Sequence, residues 1–176
     1  MRIEREQAVA IVVDYQEKLV PAMNNKEQLL HNSCILLEGL KILDVPMVIT
    51  QQYTKGLGMT VEEITQAVGT AEYIDKISFT AYDCVKEQIR DKKHVIVCGI
   101  ESHICVLQTV IDLKAAGFVP VLVADCVDSR KESDKQVALE RARQEGTIVT
   151  TYESLLFELL KVAGTETSKK VQKLIR

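Results

Sequence analysis

The chain lacks tryptophan, has three prolines, and draws only 5% of its residues from aromatics. No basic stripe interleaved with aromatic side chains is present, and the formal net charge is −3. A nucleic-acid partner is therefore not expected. The longest apolar runs, such as Val119–Ala124, are far too short for a bilayer span, so no membrane partner is expected. Met1–Gln7 carries acidic residues and no apolar segment of the signal-peptide kind, which leaves a cytoplasmic location as the expectation. The five cysteines, Cys34, Cys84, Cys98, Cys105 and Cys126, are an odd number without a CxxC or paired spacing. That argues against a disulfide framework or a zinc cluster. The histidines His31, His94 and His103 are not spaced as a ligand set, so neither metal nor cofactor is expected.

What is present is an alternation of apolar runs and helical patterns. Near-continuous strand patterns are expected at Ala8–Asp14, Pro46–Thr50, Tyr73–Ile77, His94–Cys98, Val119–Ala124 and Thr147–Thr150. Helical spacing fills Lys26–Leu43, the region around Val61–Val68, Ala81–Lys92, Ser102–Ala116, Glu132–Glu145 and Tyr152–Val162. Gln51–Met59 reads as a loop, and the charged tail 163–176 as either helical or frayed. No repeat, low-complexity tract or linker interrupts the pattern. Continuous Val/Ile strands separated by helices indicate an α/β fold: a single domain over 1–176, core about 6–160, with a doubly wound, mostly parallel sheet of about six strands and helices on both faces.

Ligands in such sheets bind beyond the carboxyl ends of the strands, and four strand ends carry reactive side chains. They are Asp14, the Gln51/Gln52 pair, Lys76 and the Gly99–Cys105 turn. Gly99 allows a sharp turn, Ser102 is the expected N-cap, and Cys105 falls near the third helical position. There the unpaired N–H groups and helix dipole would favour thiolate and could form an oxyanion hole. The same positions also suit a buried helix cysteine, a capping, magnesium-binding or phosphate-accepting aspartate, and a solvated surface lysine.

Three runs carry a resemblance: Ile11-Val-Val-Asp14-Tyr-Gln16, Asp75-Lys76-Ile-Ser-Phe79 and Gly99-Ile-Glu-Ser-His-Ile-Cys105-Val106. In order and spacing they resemble the signature segments of the isochorismatase-like cysteine hydrolase superfamily. The resemblance implies a catalytic triad of Asp14, Lys76 and Cys105, with Cys105 attacking a carbonyl carbon to form a thioester. Asp14 would move the proton, Lys76 would hold its carboxylate, and backbone N–H groups of Glu101 and Cys105 would form the oxyanion hole. It further implies a non-proline cis peptide at Ile100–Glu101, with Gln16, Gln52, Tyr53 and Phe79 lining the substrate pocket.

Nicotinamidase-type members carry metal-binding histidines after the second strand, whereas Thr50–Gly58 here contains none. That segment is similar to the loop of the isochorismatase-domain-containing branch, departing from it with Gln51 for Glu and Thr54 for Pro. True isochorismatases replace the nucleophilic cysteine. The implied reaction is therefore hydrolysis of a small amide, carbamoyl or related carbonyl substrate, by a homo-oligomer that is a dimer or larger. Two other readings stay open: a catalytically idle small-molecule or protein-binding member, and a redox-sensing thiol paired with Cys126. His103 is expected to point away from the thiol, and Asp125 to hold the turn after its strand.

Overall fold

In the computed structural model, which describes residues 1–176, the uninterrupted apolar run Ala8–Val13 forms strand β1, buried at every position. The remaining strands are β2 (Met47–Gln52), β3 (Ile74–Lys76), β4 (His94–Ile100), β5 (Val119–Asp128) and β6 (Ile148–Thr150). Helices α1 (Lys26–Ile42), α2 (Thr54–Leu57), α3 (Glu62–Val68), α4 (Tyr82–Ile89), α5 (Leu107–Ala115), α6 (Glu132–Gln144), α7 (Tyr152–Leu160) and α8 (Glu166–Ile175) connect or follow them. None is long and apolar enough to cross a membrane.

The strands lie in the order β3-β2-β1-β4-β5-β6, and every neighbouring pair is parallel. Alternate residues of β1 face opposite sides, as strand geometry requires. Ala8, Ala10 and Val12 pack into a layer with α1, α3, α7 and α8, while Val9, Ile11 and Val13 face α4, α5 and α6. The chain winds outward from β1 through β2 to β3, then returns to place β4 on the other side of β1. The strand order thus reverses between β1 and β4, and a crevice opens beyond the strand ends at such a switch point.

Several element boundaries differ from the sequence expectation. Strand β2 runs on to Gln52 because Gln51 and Gln52 pair with Asp75 and Lys76. Beyond β2, part of the expected loop is the short helix α2. Strand β5 continues past Ala124 to Asp128 across an irregularity in the β4–β5 register, so that Val127 and Asp128 pair with Gly99 and Ile100. The tail is helical from Glu166: Thr165 accepts a hydrogen bond from the Ser168 amide as its N-cap, and Val171 is buried against the core.

Candidate active site

The crevice between β1 and β4 gathers the reactive residues. Asp14 follows β1 with φ 54°, a left-handed conformation uncommon for a residue with a side chain. It is held there from β2: its N–H donates to the Thr50 carbonyl at 3.1 Å, and the Thr50 hydroxyl donates to Asp14 Oδ1 at 2.8 Å. Across from it, Lys76 at the end of β3 brings Nζ to 2.8 Å from Asp14 Oδ2. Both side chains are essentially inaccessible, 1% exposed for the lysine and 0% for the aspartate. That oxygen has no other well-aligned hydrogen-bond partner.

The ammonium is surrounded by acceptors. Besides its ion pair with Asp14, it donates to Gln52 Oε1 at 2.6 Å, the Phe79 carbonyl at 2.9 Å and the Ser78 carbonyl at 3.2 Å. A buried cation needs such partners to offset its lost hydration. Burial nevertheless raises the Asp14 carboxyl above its ordinary value, opposed by the Lys76 ammonium, the Thr50 hydroxyl and the Cys105 thiol.

The third member arrives through Gly99, whose φ of 131° and close approach to β1 both exclude a side chain. A Cβ there would sit 2.1 Å from the Val13 carbonyl oxygen, one residue before Asp14. The Ile100–Glu101 peptide is cis. A π-helical turn, Ser102–Val106, then precedes α5 and places Cys105 where the charges of both Asp14 and Lys76 act on its thiol.

The surroundings of the Cys105 thiol disfavour the thiolate. Cys105 is only 6% exposed, and burial followed by the Asp14 charge pushes its thiol up to about 12, with Lys76 pulling the other way. Along the chain the helix terminus favours the thiolate, whereas the degree of burial and the nearness of the Asp14 charge come from packing. Ser102 does not cap the helix. The extended residue before the turn is Glu101, without a side-chain cap, and the buried Ser102 hydroxyl has no partner.

The family description "Isochorismatase domain" matches residues 8–154. This chain belongs to the isochorismatase family. Isochorismatase domain-containing protein 2 of Danio rerio is 34% identical, over 99% of this chain and 89% of its own length. A secreted isochorismatase effector of Phytophthora sojae is also 34% identical, over 99% of this chain and 87% of its own. Among solved structures, the MAR1 ribonuclease of Caenorhabditis elegans aligns with a TM-score of 0.93 at 34% identity, covering 99% of this chain and 92% of that one. The chain is thus an isochorismatase-like α/β protein of a hydrolase family.

Within that family fold, the residues expected to line the pocket divide into two groups. Tyr53 and Phe79 stand 51% and 55% exposed beyond β2 and β3, with Ile77, close to Phe79 in sequence, at 71%. Gln16 and Gln52 instead spend their side chains on the protein. Gln16 is fully buried and clamps the end of β2: its Nε2 donates to the Gln52 and Gly58 carbonyls, and its Oε1 accepts from the Gln52 amide. Its amide is thus committed to backbone groups rather than exposed to a ligand. Gln52 holds Lys76 through Oε1 and the Ile77 carbonyl through Nε2.

The two departures from the branch loop meet one another. Gln51 Nε2 donates to the Thr54 hydroxyl at 2.9 Å, and that hydroxyl donates to Asp75. A carboxylate and a proline at those positions could make neither bond. Asp125 accepts from the Tyr152 amide and so fixes the start of α7. Cys126 packs in the layer opposite Cys105, on the other side of the sheet, which argues against the alternative of a redox pair between them. No three His, Cys, Asp or Glu side chains converge as a metal-ligand group.

Sequence reasoning missed Thr50, the residue that orients the Asp14 carboxylate. Its signal was the position itself, a hydroxyl at the end of the strand beside β1. It also missed how the nucleophile turn is tied to the loop after β5. Glu101 Oε2 accepts from Arg130 Nε at 3.0 Å and from the Arg130 amide at 3.2 Å, while His103 Nδ1 lies 2.9 Å from the Ser129 hydroxyl. Only the three-dimensional return of β5 beside β4 brings those residues together.

Proposed function

We propose that this protein is a metal-independent cysteine hydrolase acting on a small amide, carbamoyl or related carbonyl compound. The observation that carries the reading is the buried Asp14–Lys76 ion pair set against the Cys105 thiol. With burial and the Asp14 charge both disfavouring the thiolate, the carboxylate is assigned to take the thiol proton as sulfur attacks the carbonyl carbon. The backbone N–H groups of Glu101 and Cys105 are assigned to the developing oxyanion. Collapse of the tetrahedral species breaks the carbon–nitrogen bond, and the proton held by Asp14 passes to the leaving amine. A water then gives a proton to Asp14 and attacks the thioester, releasing the acid and returning the proton to the thiol. Lys76 keeps the carboxylate in place and balances the negative charge as it moves between oxygen and sulfur.

Tyr53, Ile77 and Phe79 form the exposed apolar rim assigned to substrate or to a second copy of the chain in a homo-oligomer. RNA cleavage, the activity in the name of the nematode neighbour, finds no excess of cationic side chains here to hold a polyanion, with 22 Lys and Arg against 25 Asp and Glu.

The test is a screen of small amides, carbamoyl compounds, esters and an RNA oligonucleotide with wild type and Cys105→Ala. Intact-mass detection of an acyl adduct follows for each substrate turned over. Amide turnover that vanishes in the variant, with an adduct on wild type, supports the reading. Turnover that survives Cys105→Ala sinks it. No turnover of any compound would favour a binding role.

A further inference from the structure

The mechanism above uses residues at three strand ends, but a buried hydroxyl on α5 touches both halves of the machinery. Thr109 is fully buried. Its Oγ1 donates to the Cys105 carbonyl oxygen at 2.6 Å. Thr109 Oγ1 in turn accepts the Ala81 N–H at 2.8 Å. Ala81 is itself fully buried and immediately precedes α4. The segment leading to it supplies two of the carbonyls that hold the Lys76 ammonium, those of Ser78 and Phe79.

A threonine that bonds back to the carbonyl four residues earlier is ordinary in helices and would mean nothing alone. Here the hydroxyl also accepts a backbone N–H from a different element, so its one proton is donated and a lone pair is engaged. One atom joins the backbone of the nucleophile to the backbone that cradles the lysine. Valine has nearly the same shape but can make neither bond, and would leave a buried N–H unpaired.

We propose that Thr109 is a positioning residue that fixes the Cys105 turn relative to Lys76, and so sets the balance of charge at the thiol. This rests on the catalytic reading of Asp14, Lys76 and Cys105. The Cys105 thiol is pulled toward its ionised form by Lys76 alone among its charged neighbours, so a slackened cradle weakens that pull. Serine keeps the hydroxyl and both bonds.

The experiment measures the pH dependence of Cys105 alkylation by iodoacetamide in wild type, Thr109→Val and Thr109→Ser, with urea unfolding of each. This readout needs no substrate, so it separates failure of the positioning role from failure of the hydrolase reading. The expected result is an alkylation profile displaced to higher pH in Thr109→Val, with alkylation at pH 8 slowed about tenfold (about 1.4 kcal/mol). Thr109→Ser should stay within about threefold of wild type (about 0.6 kcal/mol). For any substrate found in the screen, kcat should fall by a similar factor in Thr109→Val with KM little changed. An unchanged alkylation profile in Thr109→Val, with only stability lost, would overturn the proposal. If Thr109→Val does not fold, Thr109→Ala, which leaves space for a water between the two backbone groups, carries the same comparison.

Discussion

Cys98, within β4, and Cys105, in the turn that follows it, are thiols on one short stretch of chain that their surroundings shift in the same direction. Both are pushed up to about 12. For Cys98 the cause is burial, eased by Tyr15, and its Sγ has only a long contact of 3.9 Å to the Ile11 carbonyl. For Cys105 the causes are burial and the Asp14 carboxylate, opposed by Lys76. A displaced thiol therefore does not identify a nucleophile. What separates the two is where the proton can go. Beside Cys105 stands a carboxylate with its own compensating cation; beside Cys98 stand a phenol, a carbonyl and the apolar layer.

The sharpest break of this comparison removes each thiol in turn. Cys105→Ser should lower turnover by about 10⁴-fold or more, as loss of a nucleophile does, with a small effect on stability. Cys98→Ala should keep turnover within a few-fold of wild type and cost about 1–2 kcal/mol of stability through lost packing. Steady-state kinetics and urea unfolding on the two variants decide it. Comparable loss of turnover in both would mean that the apolar layer, not the triad, limits the reaction.

The next largest effect tests whether the charge partner belongs to only one thiol. Lys76→Met should cost about 3–5 kcal/mol near neutral pH by leaving Asp14 buried without its cation. In that variant the carboxyl would be raised further in the folded state. The unfolded chain ionises near the ordinary carboxylate value, so the folded state binds more protons above it and stability falls as pH rises. The deficit should thus be smaller at pH 5 than at pH 8 in urea titrations. A deficit independent of pH would show that Asp14 does not depend on this ion pair.

How much of this arrangement was legible beforehand follows from what each feature depends on. The alternation of buried Val/Ile runs with helices fixes the layer order, and residues at strand ends are on one edge of a parallel sheet whatever the details. Asp14, Lys76 and Cys105 were readable for that reason. Gln16 was misplaced because its role depends on the Gln52 and Gly58 backbone meeting it in space. The thiol's direction was misread because burial and a neighbour's charge are properties of packing, whereas a helix terminus can be read along the chain. The π turn was invisible since its residues have ordinary helical composition. The Glu101–Arg130 link waited on the extension of β5.

A third experiment asks where the two thiols should not differ. Each keeps its proton in the folded state well above 9.0, while the unfolded chain loses it near that value. Above pH 9 the unfolded state therefore binds fewer protons, and stability falls by about 1.4 kcal/mol per pH unit for each such thiol. Cys98→Ala and Cys105→Ala should each flatten the decline between pH 9 and 11 by the same amount, measured by urea midpoints under reducing conditions. If Cys105→Ala leaves the slope unchanged, the thiol is already ionised in the folded protein.

The smallest effect, a shift in an alkylation profile, is the most discriminating when set beside turnover, because the pair separates the two things Asp14 does. The carboxylate is the second largest cause that keeps the Cys105 thiol neutral, after burial. It is also the group assigned to take the proton during attack on a carbonyl. Asp14→Asn removes the negative charge and leaves a side chain of the same shape. Alkylation of Cys105 by iodoacetamide, which needs only thiolate, should then move to lower pH, while amide hydrolysis, which needs a proton acceptor and a later donor, should collapse. Cys98, fully buried and without a charged neighbour, should remain unlabelled in both proteins. A variant in which alkylation slows at every pH would mean the carboxylate acts on the thiol chiefly as a base even toward a simple alkylating agent. Electrostatic restraint of the resting thiol would then be the weaker of its two roles.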